Sequence, residues 1–165
     1  MPAPPGLVVR EATSDADWAA VRAVRQAVFV EEQACPPDEE WDAHDAPERR
    51  GRETHHLLAL RPAPPRPGGA AEPVGCARWR AVEADAGGAA KLERFAVVRP
   101  ARGRGVGRAL VAWALADARA AGHRRFVLHA QTHVAPLYAA FGFVPEGDTF
   151  DEAGIEHVKM TLADP

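Results

Sequence analysis

Cysteine, tyrosine, lysine and long apolar runs are all scarce in this 165-residue chain. The two cysteines, Cys35 and Cys76, stand far apart and form no C-x-x-C pair, which implies reduced thiols in a cytosolic protein. No apolar run approaches the roughly 18 residues that a membrane-spanning helix needs. The opening Met1-Pro-Ala-Pro-Pro-Gly6 lacks the basic and then apolar stretch of a signal peptide. A membrane partner is therefore not expected. Lysine supplies only 2 of the 20 basic residues, and the arginine excess, with abundant Ala, Gly and Pro, reflects a GC-rich coding sequence. The net charge of −3 and pI of about 6.2 argue against a polyanion binder, so no nucleic-acid partner is expected. No internal repeat is visible.

What is present suits one globular domain, residues 1–165. The chain is 47% hydrophobic and 26% charged, enough to bury a core. Leu7 to Glu11 reads as a strand. Thr13 or Ser14 caps a helix starting near Asp15, in which Trp18, Val21, Val24 and Val28 form one stripe out to about Phe29. An acidic loop, Glu31 to Glu53, holds nine carboxylates against three arginines. His55 to Leu60 is a strand, and Arg61 to Pro73, with five prolines, is a hairpin loop. Strands follow at Val74 to Ala81 and Lys91 to Val98, joined through Ala84 to Gly88. Val106, Leu110, Trp113 and Ala114 mark one face of a helix that ends before Gly122. Phe126 to Ala130 is a strand, His133 to Phe141 a short helix and Glu156 to Leu162 a last strand. The order β-α-β-β-β-α-β-α-β predicts an α/β fold, a mixed sheet with helices on its faces.

The most informative segment is Lys91-Leu-Glu-Arg-Phe-Ala-Val-Val-Arg-Pro100, followed by Ala101-Arg-Gly-Arg-Gly-Val-Gly-Arg108. A strand runs through a glycine-rich turn into a helix. Glycine lets a ligand approach the backbone closely, and the free N–H groups of a helix start attract anions. A phosphate or pyrophosphate is the expected ligand group. The turn lacks the Lys-Ser/Thr pair of a P-loop, and a Rossmann pattern begun at Gly103 meets Arg108 where its third glycine belongs. The segment does match R-x-x-G-x-G, through Arg102, Gly105 and Gly107.

On that turn the chain resembles the GNAT N-acetyltransferase superfamily. Arg25-x-x-Val28-Phe-Val-x-Glu32-Gln33-x-Cys35-Pro36, Asp42, Asp45, Ala130-Gln131 and Phe150-x-Glu152-x-Gly154-Ile155-x-His157-x-x-Met160 look like its ElaA-like branch. The Pro-rich stretch around Pro62 to Glu72 departs from it. The resemblance implies a mostly antiparallel central sheet and an acetyl-CoA co-substrate. Phe95, Ala96 and Val97 would pair with the pantetheine amides, and Gly103, Arg104, Gly105, Val106, Gly107 and Arg108, with Arg102, would surround the pyrophosphate. Tyr138, the one tyrosine, precedes Gly142-Phe143 and would be the general acid to the CoA thiolate. A backbone N–H near Phe95 to Val97 would steady the oxyanion. Five arginines between Arg94 and Arg108, with no acid among them, suit an anionic CoA.

An amine acceptor, small molecule or protein amine, arrives protonated and needs a base. Glu93, placed by alternation on the same strand face as Phe95, is one candidate. Glu32 and His157 are the others. The acidic loop would favour a cationic amine if it borders the cleft, and is otherwise solvated. His129 and His133 are four apart without the glutamate of H-E-x-x-H, so no metal is expected. Cys35 has no base partner in sequence, and direct transfer needs no nucleophilic cysteine. A non-catalytic acyl-CoA-binding sensor is the competing reading, and an acyl-homoserine-lactone synthase is opposed by the intact turn. The sequence is compatible with a monomer or a homodimer.

Overall fold

The computed structural model describes residues 2–83 and 88–165; most of the Ala84 to Gly88 connection lies outside the described residues. In chain order the elements are β1 (Val8–Glu11), α1 (Asp15–Arg25), a π-helix (Gln26–Glu32), α2 (Pro37–Glu40), β2 (Thr54–Arg61), β3 (Glu72–Val82) and β4 (Ala89–Val97). Then come α3 (Val106–Ala120), β5 (Arg125–Gln131), α4 (Ala135–Ala139), β6 (Val144–Glu152) and β7 (Ile155–Ala163). The seven strands form one sheet in the order β1-β2-β3-β4-β5-β7-β6. Every neighbouring pair is antiparallel except β4 and β5. The expected mostly antiparallel mixed sheet is therefore present.

Three elements differ from the expected ones. The first helix keeps α-helical hydrogen bonding only to Arg25 and continues as seven π-helical residues, so the Val21, Val24, Val28 stripe crosses from one helix type into the other. The acidic segment is not a plain loop: it carries α2 and two 3₁₀ turns. The chain also has a seventh strand, β6 in chain order, that the sequence pattern did not reveal. It is a sheet edge, exposed along nearly its whole length, and so lacks the alternation that marks a half-buried strand.

Both faces of the sheet are covered in its first half. Leu57 and Leu58, adjacent on β2, point to opposite faces. On one face Leu57, Trp79 and Leu92 pack with Leu110, Val111 and Leu115 of α3. On the other, Leu58, Cys76 and Ala96 meet Val21, Val24 and Val28. Each aliphatic side chain so buried contributes about 1.5–3 kcal/mol. Helix α1 starts at a capping box: the Ser14 hydroxyl accepts from Asp17 N at 3.1 Å and the Asp17 carboxylate accepts from Ser14 N at 3.2 Å.

Charge is buried as well. Arg25 and Arg78 are each only 1% exposed. The Arg25 guanidinium donates to Glu40 Oε1 at 2.5 Å and to Asp45 at 2.6 Å; Arg78 donates to Asp42 at 2.8 Å, Asp45 at 2.9 Å and Glu93 at 3.1 Å. Arg22 and Arg25 also flank the Trp41 ring. Glu40, Asp42 and Asp45 thus turn inward and dock the acidic segment on the sheet. The alternative of a solvated acidic loop does not hold for these three.

Candidate active site

Two residue pairs, Ala90–Phe126 and Lys91–Val127, join β4 to β5. Beyond them the strands part, and a cleft of about 800 Å³ opens between their diverging ends. The glycine turn, α4, the π-helix and the β6–β7 hairpin all line it.

Strand β4 reaches the cleft through a bulge. Arg78 pairs with Glu93 and Cys76 with Ala96, so Ala77 alone opposes both Arg94 and Phe95. Arg94 takes the extra position with φ +57°. The bulge reverses the alternation beyond it. Leu92 and Phe95 join the α3 side, whereas Ala96 joins the α1 side. The expected common face of Glu93 and Phe95 is therefore incorrect. Glu93 sits on the opposite face, where it accepts from Arg78 and from Arg80 at 2.7 Å, with Lys91 at 3.8 Å. Burial would raise its pKa, but these three cations outweigh burial and hold it below the ordinary range.

The turn residues lie at the start of α3. Gly105 is its N-cap, at φ +84°, and offers no side chain to the first-turn N–H groups. Those groups are therefore available to an anion, helped by the helix dipole. Gly103, Val106 and Gly107 line the cleft with it. Phe95 and Val97 line it from β4, with Ala96 between them. The turn is less cationic than the arginine count implies. Arg94 is turned toward Glu40 and Asp42, at 3.2 and 3.3 Å. Arg102 braces the π-helix: its Nε donates to the Val97 carbonyl at 2.8 Å, and its two Nη atoms grip Glu32 at 2.6 and 2.9 Å. Arg99 also approaches Glu32, at 3.4 Å. Arg104 stands at the turn itself, and Arg108 lies over the Phe141 ring at 5.3 Å.

Glu32, a candidate base, is thus held as a carboxylate, its pKa lowered by the Arg102 hydrogen bonds first and Arg99 after. Tyr138 projects from α4 and is 6% exposed. Its ring meets Phe95 edge-on at 5.7 Å and Phe143 at 6.3 Å. Burial alone raises its pKa, so the phenol keeps its proton at neutral pH. His157 is buried on β7 and lines the cleft from the hairpin side.

The structure adds residues that the candidate set lacked. Gln131 at the end of β5 donates to Gln33 Oε1 at 3.0 Å, linking the two walls of the cleft. His129 and Glu152 also line it, with His129 Nδ1 3.2 Å from Glu152 Oε1. Gln33, Gln131 and Glu152 all stand inside the early, middle and late signature strings, which was the signal available for them. Cys35 lines the cleft too, but burial and the nearby Glu40 and Glu39 raise its pKa, so it stays a thiol. Among the described residues, no group of three or more His, Cys, Asp or Glu is arranged to hold a metal ion, and no helix is long and apolar enough to cross a membrane.

A family model described as the acetyltransferase (GNAT) domain matches residues 69–163. The Bacillus subtilis protein YjcF, named as an uncharacterized N-acetyltransferase, is 35% identical over 139 residues, covering 83% of this chain and 86% of that one. Escherichia coli ElaA has a similar structure, with a TM-score of 0.76, 25% identity and coverage of 94% and 99% of the two chains. A Pseudomonas aeruginosa acyl-CoA N-acyltransferase has a TM-score of 0.73, 27% identity and coverage of 95% and 98%.

Proposed function

The chain belongs to the GNAT acetyltransferase family, and from that premise we propose that it moves an acetyl group from acetyl-CoA to an amine by direct attack. One juxtaposition carries the reading. A helix start with free N–H groups, an unpaired strand edge after a bulge, and a buried phenol all border one cleft.

Each part has a task in that reaction. The N–H groups of Gly103 to Arg108 bind the pyrophosphate, with Arg104 and Arg108 adding charge. The β4 edge at Phe95 to Val97 pairs with the pantetheine amides as an added strand would. The bulge at Arg94 frees backbone N–H groups on that edge to steady the oxyanion formed when the amine adds to the thioester carbon. Tyr138 donates to the departing sulfur. A thiolate whose conjugate acid has a pKa of about 8.5 is a poor match for full proton loss from a buried phenol, so the tyrosine acts first as a hydrogen-bond donor that strengthens as negative charge builds on sulfur. Glu32 is then a brace for the turn through Arg102, rather than the proton acceptor.

Thiol release from acetyl-CoA, measured with and without a panel of primary amines (propylamine, cadaverine, spermidine, tyramine, glucosamine), tests the proposal. Acceptor-dependent release supports it. Tight acetyl-CoA binding with no release for any amine would favour an acyl-CoA sensor instead.

A further inference from the structure

The string Phe150-x-Glu152-x-Gly154-Ile155-x-His157 lies apart in sequence from the glycine turn and the β4 edge, yet Glu152, Ala153, Ile155 and His157 line the same cleft. Its turn is two residues long. Ala153 and Gly154 both have positive φ, 52° and 78°, the geometry that suits the twist of a tight hairpin. An alanine in that region is strained, and strain of this kind gathers at functional sites. The turn sets Glu152 opposite Ile155 and Phe150 opposite His157.

The hydrogen bonding that follows is specific. His157 Nδ1 lies 2.7 Å from the Ile155 carbonyl. A carbonyl can only accept, so Nδ1 carries the hydrogen, and in the neutral ring Nε2 presents a lone pair. That nitrogen faces Glu152 Oε2 at 3.5 Å. The ring is fixed by stacking on Phe150, at 6.0 Å and 23°. The two atoms stand side by side at the cleft wall, and a donor entering the cleft can reach both. A protonated amine carries up to three hydrogens on one atom and fits that role. The other charged groups facing the pair are His129 of β5, at the second Glu152 oxygen, and Lys91 of β4. Gln131 stands opposite His157 in the β5–β7 register.

We propose that Glu152 and His157 form the acceptor site: Glu152 holds the ammonium, and His157 Nε2 takes its proton. The inference rests on the acetyltransferase reading above and names the base that reading leaves open. The balance is simple. The ammonium gives one proton to Nε2, and its freed lone pair forms the N–C bond to the acetyl carbon. The C–S bond breaks with its electron pair going to sulfur. As the amide forms, the nitrogen's remaining extra proton passes to the sulfur, which Tyr138 holds by its hydrogen bond. The products are amide, thiol and one proton, which leaves His157 for water. The class of acceptor is an amine that is cationic in solution and can bring an N–H hydrogen against a carboxylate.

Steady-state kinetics with the best amine of the panel test this. Glu152→Gln is expected to raise the KM for the amine at least about tenfold, the worth of a charge-assisted hydrogen bond, while the KM for acetyl-CoA stays unchanged. His157→Ala is expected to lower kcat about 10²-fold or more at pH 7, with two signatures that mere structural damage would not give. Added imidazole restores part of the rate, and the deficit narrows as pH approaches the pKa of the amine, about 10 for an alkylamine. Wild-type turnover with unchanged amine KM in Glu152→Gln, or with no imidazole rescue and no pH narrowing in His157→Ala, overturns the acceptor site alone. Absence of turnover in the wild type with every amine overturns the acetyltransferase reading and this inference with it.

Discussion

Replacing Arg78 by methionine isolates the contribution of the buried ion network to the site. Methionine fills much of the same volume but leaves Asp42, Asp45 and Glu93 without the guanidinium that joins them at 2.8, 2.9 and 3.1 Å. Arg25, Arg80 and Arg94 still reach parts of the cluster, so the loss is that of one partner and not of all charge. Removing one partner from a buried ion pair costs about 3–5 kcal/mol. At about 2–4 °C per kcal/mol for a chain of this length, Tm should fall by about 6–20 °C at pH 7. The pH dependence carries the sign. In the wild type, burial acts to raise the pKa of Asp42, but the hydrogen bonds and charge of Arg78 prevail and hold it well below the usual carboxylate range. A depressed folded-state pKa contributes stability above the unfolded value of about 3.9, and that contribution is lost as pH falls through the folded value. The variant lacks it, so its deficit should be full at pH 7 and shrink below about pH 4. Thermal unfolding of both proteins between pH 3 and pH 8 measures this. A variant as stable as the wild type at pH 7, or a deficit that does not change with pH, would refute the electrostatic account of how the acidic segment is anchored.

Further outcomes follow from single groups. His56 is 2% exposed with neither ring nitrogen hydrogen-bonded, and burial pushes its pKa down to about 4. Because the unfolded chain takes up this proton first, stability should drop by about 2–3 kcal/mol as pH falls from about 6.5 to 4, and urea unfolding of His56→Leu should show a shallower slope in that window. Tyr138→Phe should lower kcat about 10²-fold with little change in the KM for acetyl-CoA, measured by thiol release; an unchanged kcat would remove the tyrosine from the mechanism. Gly105→Ala places a Cβ 2.7 Å from the Pro2 carbonyl oxygen at φ +84°, so it should cost about 1–3 kcal/mol in urea unfolding and weaken acetyl-CoA binding by calorimetry.

The features legible in the sequence were those written in local chemistry. The glycine turn at Gly103 to Gly107, the N-cap at Ser14 and the apolar face of α3 each declare themselves within a few residues. What escaped depends on partners far along the chain. The bulge at Arg94 puts an arginine at positive φ where no glycine or asparagine marks it, so simple alternation placed Glu93 and Phe95 on one face when they lie on two. The π-helix changes hydrogen-bond register without changing the spacing of Val21, Val24 and Val28, and sequence periodicity is blind to that. Strand β6 holds Pro145 and Gly147 and borders solvent, so it shows neither alternation nor an apolar run. The five arginines from Arg94 to Arg108 read as one basic patch, yet Glu40, Asp42 and Glu32 divide them, leaving the turn to Arg104 and Arg108. Of the two alternatives for the acidic segment, the solvated one fails for Glu40, Asp42 and Asp45, whose inward carboxylates answer Arg25 and Arg78, while Glu39 and Glu40 do border the cleft.

The central claim is that acetyl leaves CoA for an amine held in this cleft. Mass spectrometry of a reaction with isotopically labelled acetyl-CoA and the amine panel tests it most directly. The account predicts labelled N-acetyl product in step with free CoA, from at least one amine. Free CoA with labelled acetate and no acetylated amine, or bound acetyl-CoA recovered intact in the presence of every amine, would contradict it.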